Sequence, residues 1–409
     1  MNTWRQTSPT GRALLVAVLV TGLTTFMFLP LLAIEFTAQG MRAGRVGFLV
    51  GLLAFCGQGF SLVSGLVVDR FGTLPALSCG FGLRIVGYLL LGAGLAGGTV
   101  MVPLVAGIVA IGVGGSLLGL SIKTLLVREA GSDRREMLAL RSTFVNVGVI
   151  AGPALGAAVY PLGFQYVLAA CVASHLLLGL RLTLRRAGGE VPGRPAESGD
   201  PSAPAEAGEA GAAPPAADGT RWARWQWVPL LLLGVVFWAI YSQLNVVLPI
   251  AAKQLTGSTA AISVVFTVNG ALCVLFQYSL LRHVFRSTAA RSLLVIGFLA
   301  FAVGYALLIP FTGWGALLAF VLPITLAEML IAPSLDEQAV EASSLKRTGL
   351  ALGTMSAAGA LGSLLGSGMG GYLLQTLHGS ADLWLVISTL SVVAAASCFL
   401  LPKGRAQHV

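Results

Sequence analysis

Long apolar runs, broken by short polar interruptions, fill most of this chain. A helix rises 1.5 Å per residue, so about twenty apolar residues cross the hydrocarbon layer of a bilayer. Runs of that kind cover residues 12–35, 45–68, 73–96, 101–126, 140–160 and 165–182. A second series covers 227–252, 258–281, 290–310, 314–335, 348–374 and 383–401. The pattern predicts an all-α membrane protein with twelve transmembrane helices. The first run is too long for the apolar core of a cleaved signal and reads as a spanning helix. Between the two series the chain is rich in Ala, Pro, Gly and Glu and loses its apolar pattern. That composition predicts a disordered cytoplasmic linker over 185–226. The expected domains are a six-helix bundle over 1–184, that linker, and a second six-helix bundle over 227–409.

Composition agrees with lipid as the solvent. Of 409 residues, 56% are hydrophobic and only 10% are charged, against roughly a quarter charged in soluble domains. The 52 glycines suit helices that approach closely in lipid. The net charge of +9 would suggest nucleic acid in a soluble chain, but its placement argues otherwise. With the N-terminus in the cytoplasm, nearly all basic residues fall in cytoplasmic loops, and only Arg42, Arg45 and Lys253 fall outside. The positive-inside rule therefore predicts that both termini are cytoplasmic in a bacterial inner membrane. The five cysteines lie inside apolar runs without metal-ligand spacing, so no metal or cofactor is expected. No phosphate-binding Gly-x-x-x-x-Gly-Lys-Ser/Thr motif occurs, so neither an enzyme nor a directly ATP-driven pump is expected.

The two halves repeat. Leu29-Pro30-Leu31-Leu32 near the outer end of span 1 is matched by Leu248-Pro249-Ile250-Ala251 in span 7. Gly148, Gly152 and Gly156 recur every fourth residue in span 5, as Gly362, Gly366 and Gly370 do in span 11. Parallel six-helix repeats are an architecture of secondary transporters, with the substrate between the halves near the midplane.

Two local motifs sharpen this. After span 2 comes Gly65-Leu66-Val67-Val68-Asp69-Arg70-Phe71-Gly72, and on span 5 comes Gly148-Val149-Ile150-Ala151-Gly152-Pro153-Ala154-Leu155-Gly156. The first resembles the loop motif G-x-x-x-D-R-x-G of the major facilitator superfamily, with Thr73-Leu74 in place of the usual basic pair. The second resembles the G-x-x-x-G-P-x-x-G signature of that superfamily's proton-coupled exporters. The whole chain apart from the linker is similar to the twelve-span drug/proton antiporter branch, and with its mid-helix Arg on span 3, at Arg84, it resembles the multidrug exporters of the MdtH type. The resemblance implies that Gly65, Asp69, Arg70 and Gly72 form a conformational latch, with Gly65 and Gly72 allowing a tight turn. It implies that the glycines of span 5 form a helix seam with a bend at Pro153. Many relatives carry an Arg in span 4. Here span 4 has only Lys123, and the mid-helix Arg is Arg84 on span 3.

Charges within the spans are few, and each is a functional candidate because ionised groups in hydrocarbon are costly. Arg84, about 14 Å into span 3, is a candidate contact for substrate. Glu328 is the acid that lies well inside a span, with Glu35 and Asp336 at span ends; these three are the proton-coupling candidates. Gln58, Asn146, Tyr241, Gln243, Asn245, Asn269 and Gln277 are polar candidates for a cavity lining, each also able to pair between helices. The sequence thus predicts a monomeric secondary transporter that exports a small organic compound, such as a drug, siderophore or antibiotic, against protons. Proton-coupled uptake of a nutrient, and a non-transporting sensor or assembly factor, are the alternatives.

Overall fold

The computed structural model describes residues 7–129, 134–187, 224–285, 288–342, 348–377 and 380–401. The expected linker falls almost wholly on residues 188–223, outside the described residues. The first half runs α1 Pro9–Ala38, α2 Ala43–Gly59, α3 Ser61–Phe71, α4 Thr73–Ala96, α5 Met101–Glu129, α6 Arg134–Val159 and α7 Phe164–Ala187. The second runs α8 Arg224–Tyr241, α9 Val247–Thr256, α10 Ala260–Ser279, α11 Ala290–Leu307, α12 Gly313–Glu341, α13 Thr348–Thr376 and α14 Ser380–Ser397. Among the described residues, ten helical segments are long and apolar enough to cross a membrane, α8 and α9 counting as one. The expected spans 2 and 11 correspond to the pair α2–α3 and to α13, which pack on one another through α2. Large apolar side chains such as Leu66, Val102, Leu177, Leu275 and Leu322 are exposed on the outside, as a lipid-facing surface requires.

Local chemistry sets the ends. Ser8 caps α1 by accepting from the Gly11 amide at 2.9 Å, with Pro9 opening the helix, which satisfies an amide that has no partner inside the helix. Two spans expected to be continuous are broken. Span 2 breaks at Phe60, between Gly59 and Ser61, where glycine and serine weaken the helix. Span 7 breaks after Tyr241, where Ser242–Leu244 forms a 3₁₀ turn. The cause is double: Ser242 and Gln243 both turn back onto the Ala239 carbonyl, and Pro249 has no amide to bond the Asn245 carbonyl one turn before it.

Helix packing repeats between the halves. In the first, α1 packs on α6, α4 on α5 and α7, and α2 on α5. In the second, α8 packs on α13, α11 on α12 and α14, and α10 on α12. The halves meet along two seams, α2 against α13 and α6 against α10, which exchange under the same span-by-span correspondence. This is a pseudo-two-fold pair of six-helix bundles.

The glycine ridges explain the intimate pairs. A Cβ on Gly148 would sit 2.9 Å from the Gly22 carbonyl carbon, and one on Gly152 would sit 2.8 Å from the Leu23 carbonyl oxygen; on Gly156 it would overlap the Met27 carbonyl. The neighbour that this ridge admits is therefore α1. On α13, Gly362 faces the Val235 carbonyl and Gly366 the Ala239 backbone, both closer than any Cβ allows.

The ends of the molecule differ. One continuous core crosses both halves where α1 finishes, through Leu31, Phe36, Leu49, Leu248, Ala251 and Phe266. Near the start of α1, a second core draws only on the first half, through Leu14, Leu15, Leu77, Leu118 and Leu178. The halves are thus sealed at one end, and the central cavity extends from that seal toward the other.

Candidate functional site

A cavity of about 480 Å³ lies between the halves. Its first-half wall comes from α1 (Thr21, Thr25, Phe26, Phe28), α2 (Leu53, Gln58), α5 (Gly112, Gly115, Gly119) and α6 (Val145). Its second-half wall comes from Trp238, Tyr241, Ser242, Asn245, Phe266, Ser363 and Ser367. The broken span 7 supplies four of these, with Ser242 in the 3₁₀ turn and Asn245 immediately after it. The Oδ1 atom of Asn245 is buried there without a hydrogen-bond partner.

Two arginines line this cavity. Arg84 is 2% exposed. Its Nη2 donates to Thr25 Oγ1 at 2.7 Å and to Tyr88 Oη at 2.6 Å, while its Nε is buried without a partner. Arg84, a candidate substrate contact by sequence, lines this cavity. Arg141 falls one residue into the expected span 5 and by sequence counts only among the basic residues on or near the cytoplasmic side; α6 begins at Arg134, so Arg141 lies well within the helix and lines the cavity. Its Nε is likewise buried without a partner. The signal was readable: Arg141 lies inside the apolar run over 140–160, two turns before Gly148 of the glycine ridge.

Glu328 on α12 sits behind this wall. Its Oε1 accepts from Tyr241 Oη at 2.9 Å and its Oε2 from Asn269 Nδ2 at 3.0 Å. Asn269 also donates to Thr325 Oγ1 at 3.0 Å, which in turn donates to the Val321 carbonyl. One carboxyl group is therefore held by donors from α8 and α10, with Tyr241 between it and the cavity. Arg84 and Glu328 do not pair: each spends its hydrogen bonds inside its own half.

The other candidates separate. Gln58, Tyr241 and Asn245 line the cavity, and Asn269 supports Glu328. Gln243 does not line it: its amide donates to the carbonyls of Ala239 and Gly366 at 2.7 and 2.9 Å, stapling α8 to α13. Asn146 and Gln277 are not among the lining residues. Glu35 lies at the far end of α1, bonded to Gln39 Nε2 and Tyr160 Oη. Asp336 is exposed near the end of α12. Neither acid lines the cavity. The expected latch is mostly helical rather than a loop. Gly65 lies within α3, with nothing nearer its Cβ position than Leu120 at 3.9 Å, so it makes no tight turn. Gly72 alone does, at φ +88°, ending α3 and opening α4. Arg70 is exposed and lies over the Phe71 ring; the Asp69 side chain lies outside the described residues. Pro153 is helical within α6, beside the glycine ridge.

Two pseudo-symmetric bundles, sealed at one end around a central cavity with buried charge, define a multi-pass membrane transporter. The chain belongs to the Major Facilitator Superfamily, whose profile matches residues 14–287. It is similar to the multidrug resistance protein MdtH of Aeromonas hydrophila, at 26% identity over 91% of each chain. A second MdtH, from Yersinia pestis, is 24% identical over 91% of this chain and 90% of its own. Among solved structures, a mutant of the peptide transporter POT aligns with TM-score 0.76 at 12% identity over 96% of each chain. An auto-inhibited POT family peptide transporter also gives 0.76, at 13% identity over 96% of each chain. At that identity the likeness is one of fold.

Proposed function

We propose that this protein exports a small organic compound from the cytoplasm in exchange for protons, by alternating access, from a bacterial inner membrane with both termini cytoplasmic. The observation that carries the reading is Glu328, a carboxyl group inside the second bundle and one hydrogen bond behind the cavity wall. The names of the MdtH relatives and the span 5 signature support export.

The chemistry follows from the cost of charge in a dry site. Protonated, Glu328 is neutral and compatible with a sealed cavity; ionised, it needs water or a cation. Tyr241 ties its Oε1 to the cavity wall. Substrate seated against Tyr241 and rocking of the halves would both disturb that bond, so that substrate and proton occupy the carrier in turn. The end at which α1 begins would be the cytoplasmic mouth, and the sealed end the periplasmic gate. Asp69 and Arg70 would brace the cytoplasmic side when it closes.

Everted vesicles, whose outer face is the cytoplasmic one, test this with a panel of anionic, cationic and neutral drug-like compounds. With an acid lumen, at least one compound should accumulate and the lumen should lose protons as it does. Accumulation only in right-side-out vesicles would establish uptake instead.

A further inference from the structure

The cavity carries an imbalance of charge. Arg84 and Arg141 line it, and among its described lining residues there is no carboxylate. Each arginine has a buried Nε–H with no acceptor. A buried donor left unpaired is costly, and a guanidinium in a largely apolar site more so. Glu328 relieves neither: the hydrogen bonds of its carboxyl group are made with Tyr241 and Asn269, and it does not line the cavity. The arginines come from two helices, α4 and α6, and converge on one space.

The rest of the wall sets the shape of what fits. Phe26, Phe28, Trp238 and Phe266 give it aromatic faces, and about 480 Å³ falls within the range of pockets that hold drug-sized molecules. Guanidinium groups lining a cavity match the charge and the oxygens of a carboxylate, sulfonate or phosphate. The same charges repel a cation, and the lining offers it no carboxylate in return. We propose that the substrate is an amphiphilic organic anion, its acidic head between Arg84 and Arg141 and its aromatic or aliphatic body against Trp238 and Phe266. This rests on the reading of the cavity as the substrate site. It makes the anion neutralise the arginines, while Glu328 is left to carry the proton.

The test is equilibrium binding to the purified full-length protein, by calorimetry, of three probes of one size. These are naphthalene-2-sulfonate, trimethyl(2-naphthyl)ammonium and neutral 2-methoxynaphthalene. The sulfonate should bind at least about tenfold more tightly than the ammonium probe, the scale of one charge-assisted hydrogen bond. Arg84→Gln and Arg141→Gln should each lower the preference for the sulfonate over the neutral ether by about tenfold. No binding of the sulfonate, equal or tighter binding of the ammonium probe, or an unmoved preference in both variants overturns the proposal. The comparison of probes on the wild-type protein stands even where a variant fails to fold. Sulfonate binding with the expected shift, but no gradient-driven movement in vesicles, upholds the anion site and removes the export reading.

Discussion

Tyr241 does two jobs with one side chain. Its ring stands in the cavity wall and its hydroxyl donates to Glu328. Tyr241→Phe keeps the ring and removes the donor, leaving Glu328 Oε1 short of a partner at a cost of about 1–3 kcal/mol. Transport rate against a pH gradient should fall about tenfold or more, with equilibrium binding of substrate little changed. Loss of binding with normal coupling would instead make Tyr241 a plain contact. At this scale the sequence is legible where a charge interrupts a long apolar run, as at Arg84 and Glu328. It is silent on partners that come from other helices: Thr25 against Arg84, or Asn269 against Glu328. Arg141 escaped because it stands one residue inside the start of the expected span 5 and counts there with the cytoplasmic basic residues, whereas the helix starts at Arg134, about two turns before it.

Among elements, α6 and α13 have the same construction, a ridge of glycines pressed on the first helix of the half. Their neighbours on the same helix are not equivalent. A Cβ on Gly366 would run into the Ala239 backbone, while one on Gly368 meets nothing within 4 Å. Gly366→Ala should therefore destabilise the protein by about 1–3 kcal/mol through overpacking, and Gly368→Ala should be neutral. Thermal unfolding in detergent reads both; equal effects would mean that the ridge is not a close seam. The ridge was visible in the spacing of four, but its partner was not, since spacing on one helix does not say which other helix fills it. The two breaks were hidden for a different reason. Hydropathy continues through Phe60 and Leu244, and the interruption comes from hydrogen bonding by Ser242 and Gln243 and from the missing amide of Pro249.

For the whole molecule, the two bundles were legible in the repeat of motifs, and the loop arginines predict an orientation. Which end is sealed is a property of packing between halves, and no single-helix pattern carries it. The orientation is checked by reporter fusions after Gly98, in the turn between α4 and α5, and within 188–223. The first should report periplasm and the second cytoplasm; the reverse pattern would turn the proposed exporter into an importer. The seal is checked at Gly47, whose Cβ position on α2 overlaps the Ser367 carbonyl on α13. Gly47→Leu should hold that end open, so that a cysteine placed at Thr37 gains reactivity toward a membrane-impermeant thiol reagent added from the periplasm. Unchanged reactivity would mean that the α2–α13 seam is not the gate.

The central claim is that one carboxyl group couples the proton to the cycle, and Glu328→Gln tests it most directly. Glutamine keeps the shape and fixes the neutral state. In proteoliposomes, with a compound chosen by the vesicle panel, this variant should lose uphill movement under an imposed pH gradient yet retain downhill exchange of labelled for unlabelled compound. Uphill movement at the wild-type rate would contradict the account.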